Sequence, residues 1–132
     1  MRLVSVMMLL AVPLVLAAGE QPTKPVAPAE AAKQVGKKVT VEMEVKSVGK
    51  GKGVFFLNSE TDYKDKQNFT LFIDKEAAKK FEEAKVDPTT YTGKTVRIHG
   101  EVKLYRDRPE IVVTDPKQLQ IVDTKKAPPK SP

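Results

Sequence analysis

Cysteine is missing from this 132-residue chain, and tryptophan with it. The first absence excludes disulfide staples, thiol nucleophiles and cysteine metal sites, so stability has to come from an apolar core. Histidine occurs once, at His99 between Ile98 and Gly100, with no further ligands at metal-motif spacing around it. Nucleophile-elbow, P-loop and His-Glu-x-x-His patterns are absent too. The expectation is a protein that is not an enzyme and holds neither metal nor cofactor.

Long apolar runs are equally scarce. The one present, Leu3 to Leu16, comes after Arg2 and leads into Ala17, Ala18 and Gly19. A basic start, a short apolar stretch and small residues make the pattern of a secretory signal. The run falls short of the roughly 20 residues that a membrane span needs. Residues 1–19 are therefore read as a signal peptide, with cleavage open among Ala17, Ala18 and Gly19 and a retained anchor as the alternative. The mature protein is expected to be secreted or periplasmic, and not membrane-spanning.

A strong charge of one sign is lacking where it would matter. The formal net charge is +6, but 6 of 23 basic and 2 of 17 acidic residues lie outside Gly36–Asp123. That leaves 17 basic and 15 acidic residues in the interior, a net of +2. Any argument for a polyanionic partner must rest on where the charges sit.

What is present is alternation. From Glu20 to Val35 the sequence EQPTKPVAPAEAAKQV predicts an extended or disordered Pro/Ala-rich linker, and TKKAPPKSP predicts a second tail over residues 124–132. Between them, residues 36–123 read as one domain. Val39, Val41, Met43 and Val45 alternate with Thr40, Glu42, Glu44 and Lys46, which predicts a half-buried strand. The stretch Gly49-Lys50-Gly51-Lys52-Gly53 permits a hairpin into a second strand, VFFLN. FTLFI predicts a third, with Phe69, Leu71 and Ile73 on one face and Thr70 and Phe72 on the other. The period then lengthens: Asp74 can cap a helix that carries Ala77, Ala78, Phe81 and Ala84 on one side, and Asp87-Pro88 ends it. KTVRIHGEVKLY, the basic hairpin YRDRP and EIVVT supply two more strands, and LQIV a last alternating piece. Gly100 is expected at a bulge or bend, and Asp115-Pro116 at a structural turn.

Three strands, one helix and two strands is the order of a five-stranded OB-fold β-barrel, all-β with one helix. An open α+β sheet is the runner-up. The run YRDRPEIVVTDPKQLQIV resembles the final hairpin of bacterial exported OB-fold nucleic-acid-binding domains. GKGVFFLN is similar to their second strand, Asp62-Tyr63 to the aspartate-tyrosine stretch after it, and KTVRIHGEVKLY to their fourth strand. Leu119 stands where that pattern has Ile. The resemblance spans residues 36–122 and implies a nucleic-acid-binding surface on strands two and three with the neighbouring loops.

Candidate site residues can then be placed. Phe72 is the defined outward aromatic, joined by Phe55 or Phe56; alternation leaves open which of the two faces out. Lys50 and Lys52 in the first hairpin, and Arg106 and Arg108 in the last, could neutralise phosphates, with Tyr105 stacking or packing beside them. Lys64 and Lys66 flank the same region, though Asp62, Asp65 and Asp107 are interleaved with these cations. Some nucleases carry clustered acids around calcium on such a barrel, but here the carboxylates are spread out. Asn68-Phe69-Thr70 is a formal glycosylation acceptor at a strand entry. The resulting expectation is a monomeric binding module for single-stranded DNA or RNA. The alternatives are an envelope adaptor that binds protein, peptide or sugar, and a barrel left over from a nuclease.

Overall fold

The computed structural model describes residues 24–122. The expected signal segment and the tail 124–132 lie outside the described residues. Among the described residues no helix is long and apolar enough to cross a membrane.

Two short elements come first, β1 (Pro25–Val26) and the one-turn helix α1 (Pro28–Ala31). The first predicted ribbon is then two strands with a bend between them, β2 (Lys38–Glu44) and β3 (Ser47–Lys50). The bend has a hydrogen-bonding cause. Val45 donates to the carbonyl of Lys94 and accepts from the amide of Gly93, whereas the Lys46 amide already bonds the carbonyl of Asn58 on another ladder. β3 pairs antiparallel with β4 (Phe55–Asn58), and β4 with β5 (Thr70–Ile73). Helix α2 (Lys75–Glu83) comes next, then β6 (Thr95–Glu101), β7 (Lys103–Tyr105), β8 (Arg108–Val113) and β9 (Gln120–Val122).

β6 and β7 form a second bent ribbon. β6 pairs antiparallel with β2, and β7 antiparallel with β8. Between them Val102 bonds both Lys37 and Gly36. β8 lies parallel to β5, which joins the two halves of the chain. The ladders thus form sheets of four and five strands, not one uninterrupted barrel of five. Gly100 explains part of the curl: a Cβ there would stand 2.7 Å from Cγ2 of Ile111, so only glycine lets β6 come this close to β8.

The core lies between the sheets. Val41, Leu57, Leu71, Ile98, Ile111 and Val113 come from the inward registers of five strands, and all are buried. This is what the alternation requires. Phe69 and Phe81 are the largest wholly buried side chains. Phe81 descends from α2 and meets Tyr91 edge-on, with ring centroids 6.4 Å apart. The α2 ends are chemically explicit. The Asp74 carboxylate accepts from the Ala77 amide at 2.8 Å, as expected of the cap. At the other end, Lys85 at φ 60° donates to Glu82 and Val86 to Phe81, a Schellman closure built without glycine. This closure, rather than Asp87-Pro88, stops the helix. Asp87 instead caps the following 3₁₀ turn, Pro88–Tyr91.

One expected boundary shifts. The linker read over residues 20–35 includes an ordered part: β1 pairs in parallel with β2, and α1 buries Ala31 completely. Proline is compatible with such a site because β1 is an edge strand and needs to donate on one side at most. Asp115-Pro116 behaves as predicted, with a capping box between Asp115 and Gln118. His99, on the polar face, is satisfied across the ladder: its Nδ1 lies 2.9 Å from Oγ1 of the cross-strand Thr40. Among the described residues no group of His, Cys, Asp and Glu could hold a metal ion.

Candidate nucleic-acid interface

Residues two apart on a strand share a face, so register decides what the outer surface carries. Gly49 pairs with Phe56, Phe56 with Phe72, and Phe72 with Val112. This makes an aromatic row across β3, β4, β5 and β8. The two phenyl rings touch, with centroids 5.2 Å apart and planes tilted by 33°. Gly49 lies against the Phe56 ring, 3.6 Å from where its Cβ would be, so the ring covers backbone that the glycine leaves bare. Next to it runs a polar row: Ser47, Asn58, Thr70, Glu110 and Lys103.

The alternation left open which neighbouring phenylalanine faces out, and the ladder resolves it. Phe56 shares the outer face with Phe72. Phe55 turns inward, packs against the core and lines a different cleft beside α2.

The loop between β4 and β5 folds back over the polar row. Ser59 and Phe69 exchange hydrogen bonds, and the amide of Glu60 donates to Asn68 Oδ1 at 3.1 Å. Asn68 Nδ2 reaches Asn58 Oδ1, the Tyr63 carbonyl and Thr70 Oγ1 within 3.3 Å. A buried amide satisfied on this scale fixes the loop path, because losing any partner would strand a polar group away from water. Asp62 and Asp65, interleaved with the loop lysines, accept from their own backbone at Lys64 and Gln67. They shape the loop as Asx turns.

The last hairpin closes on the same region. Tyr105 pairs with Arg108, which leaves Arg106 and Asp107 as a two-residue turn with φ 52° and 64°. Positive φ at both positions is the type I′ geometry that suits strand twist, though Arg is a costly residue for it. From this hairpin an Arg108 guanidinium nitrogen donates to the Tyr63 carbonyl at 2.6 Å, which clamps hairpin to loop.

Loop, hairpin and strands enclose an open groove of about 740 Å³. Its aromatics are Phe56, Tyr63 and Tyr105, its cations Lys50, Lys64, Arg106 and Arg108, and its one carboxylate Glu110. Tyr63 and Tyr105 are 60% and 56% exposed, far more than buried tyrosines would be. Each carries a cation from the next residue: Lys64 lies 5.8 Å from one ring centroid and Arg106 5.3 Å from the other. Burial pushes the Glu110 carboxyl above its ordinary range, and the charge of Lys103 partly offsets this.

The expected residues therefore divide. Phe56, Tyr105, Arg106 and Arg108 come together at the groove, and Phe72 extends its aromatic row. Lys50 lines the groove, but its ammonium rests 5.8 Å from the Phe55 ring and acts on Asp87, toward α2. Lys52 sits exposed at the hairpin tip, and Phe55 lies on the other side of the sheet. Tyr63, Asn58, Asn68, Thr70 and Glu110 were not anticipated as site residues. Two of them carried a signal: Tyr63 in the Asp62-Tyr63 stretch of the resemblance, and Thr70 by sharing the outward face with Phe72.

No family model and no curated protein matches the chain. Solved structures do. Asparaginyl-tRNA synthetase from Pyrococcus horikoshii aligns over 74% of this chain and 22% of its own, at 21% identity and a TM-score of 0.50. A protein described as an aspartyl-tRNA synthetase from Leishmania major aligns over 84% and 23%, at 15% identity and 0.52. An OBody bound to hen egg-white lysozyme aligns over 78% of this chain and 97% of its own, at 20% identity and 0.54. The fold is an OB fold. The chain spans less than a quarter of either synthetase, so the likeness concerns one module of each.

Proposed function

We propose that this OB module binds single-stranded DNA or RNA, chiefly through stacking and phosphate contacts, and has no catalytic chemistry of its own. The observation that carries the reading is the groove itself. Three aromatic rings and the cations Lys64, Arg106 and Arg108 converge on the outer face of β4 and β5, where OB domains commonly stack bases. Bases would rest on Phe56, Tyr63 and Tyr105, with Phe72 behind Phe56. Arg106, Lys64 and the free edge of Arg108 would meet phosphates. That two structures of like fold are named as tRNA synthetases supports a nucleic-acid ligand for the fold. On the signal-like residues 1–19 we place this activity outside the cytoplasm.

Fluorescence anisotropy with a labelled 12-nucleotide thymidine oligomer tests the reading. Binding is expected at low salt and should fall with added salt at a slope of about −0.7 per phosphate contact. Arg106→Glu should weaken binding and flatten that slope. No binding at low salt, or affinity indifferent to both salt and Arg106→Glu, ends the nucleic-acid reading.

A second reading has one observation in its favour. The OBody of like fold is a lysozyme binder, and the near-neutral charge of residues 36–123 suits a protein or sugar ligand better than a polyanion. An envelope adaptor then takes first place if the oligomer does not bind.

A further inference from the structure

The aromatic and polar rows lie two residues apart along each strand, a spacing of about 7 Å. Glu110 stands two strands from Phe56 but only one from Tyr105, so a base held in the groove between these two rings would bring one edge over the polar row beside Glu110. Most of that row is already occupied. The Thr70 hydroxyl donates to Asn58 Oδ1 at 3.1 Å and faces Asn68 Nδ2 at 3.2 Å, while Asn58 Nδ2 reaches Ser47 Oγ at 3.3 Å. The two remaining members are Lys103, which is exposed, and Glu110, which is half-buried. Its carboxylate takes part in no hydrogen bond or ion pair among the described residues, and Lys103 acts on it only through its charge.

We infer that Glu110 reads the edge of the base stacked beside it and favours guanine over thymine. This rests on the nucleic-acid reading and adds a base preference at one subsite. An ionised carboxylate accepts hydrogen bonds and cannot donate them. Guanine presents two adjacent donors, N1–H and the N2 amino group, spaced for the two carboxylate oxygens. Thymine presents one N–H between two carbonyl oxygens, which the carboxylate repels. Half-burial deprives Glu110 of water, so a matched donor pair gains more there than at an open surface. The same geometry accounts for a carboxylate in a groove whose other charged residues are cations: for phosphate contact alone it would be a liability.

The test uses three labelled 11-nucleotide thymidine oligomers that differ at the central base: guanine, hypoxanthine or thymine. Hypoxanthine keeps N1–H and lacks the amino group. The wild-type chain should bind the guanine oligomer about tenfold more tightly than the thymine one, with hypoxanthine between them. Glu110→Gln should bring the three within about twofold and tighten the thymine oligomer, since a repulsive charge is gone. Glu110→Asp, which keeps the charge but draws it back by one methylene, should lose the preference without tightening. Circular dichroism melts confirm that both variants fold. The inference is overturned if the wild type ranks the three equally, or if Glu110→Gln tightens all three and leaves their ratio intact. If none of the oligomers binds, the nucleic-acid reading falls and takes this inference with it.

Discussion

Phe55 and Phe56 are neighbours in sequence and opposites in use. Phe55 faces a cleft of about 550 Å³ walled by Ala78, Val86 and Pro88, with Lys75, Lys79, Lys85, Glu82 and Asp87 around its rim. Phe56 faces the larger groove with two exposed tyrosines and an excess of cations. The difference lies in what each side's neighbours have already satisfied. On the cleft side, hydrocarbon from α2 and the turn after it covers the ring, and the rim carries both signs of charge. On the groove side, loop and hairpin spend their hydrogen bonds on one another, and the aromatic faces stay open. A single β-strand pleat thus separates a ring covered by the fold from one left open at a groove.

The largest effect expected is a double dissociation between these two rings. Phe55→Ala should cost about 2 kcal/mol of stability, less than a fully buried Phe because the ring is only partly covered, and should leave oligonucleotide affinity unchanged. Phe56→Ala should cost about 1 kcal/mol of stability through its lost partner Phe72, and weaken binding by about 1–3 kcal/mol. Urea unfolding and anisotropy on the same preparations measure both quantities. If Phe55→Ala weakened binding as much as Phe56→Ala, the two faces would not be distinct.

A smaller effect separates stability from binding within the groove. Arg106 sits at φ 52° in the last hairpin, a conformation that asparagine adopts with less strain. Arg106→Asn should raise stability by about 0.5–1 kcal/mol while lowering affinity and the salt slope, because it removes one phosphate partner. A variant that moved both quantities in the same direction would show that this turn is not held strained in favour of its cation.

How much of this was legible beforehand depends on the range over which each feature is determined. The strands, the Asp74 cap and the inward positions of Val41 and Leu71 are local, so the residue pattern along the chain revealed them. The choice between Phe55 and Phe56 was not local: both neighbours are aromatic, and only pairing of Phe56 with Gly49 and Phe72 decides it. Asn68 looked like a glycosylation acceptor because its motif is local, whereas its role comes from Asn58, Tyr63 and Thr70 meeting around it in the fold. Lys50 looked like a groove cation from its glycine neighbours. β3 runs two pairs further than the glycines suggested, through Gly49 to Lys50 opposite Phe55, and carries the Lys50 ammonium to the Phe55 side. Pro25 to Ala31 had the composition of a tether, but composition says nothing about the edge of β2 on which it docks.

The smallest effects concern one carboxylate from each concavity, shifted in opposite directions. Asp87, beside the Phe55 cleft, is held below its ordinary 3.8 by hydrogen bonds from the Thr89 backbone and hydroxyl, with a minor part from Lys50. A depressed acid stabilises the fold above its unfolded pKa, and that contribution is lost as pH falls through the folded one. The penalty of Asp87→Ala, read as a shift in urea midpoint, should therefore be full at pH 7 and shrink below about pH 3.8. Glu110 in the groove behaves inversely. Burial raises it above its ordinary 4.5, so its favourable contribution is complete below that value and vanishes as pH rises through the folded pKa. Glu110→Gln, a mimic of the protonated acid, should match the wild type at pH 3 and exceed it slightly at pH 7. A groove that holds an ionised carboxylate at a cost to its own stability, next to a cleft whose carboxylate only supports the fold, is what a ligand-reading surface beside a structural one should show. Equal pH responses of the two variants would remove that asymmetry.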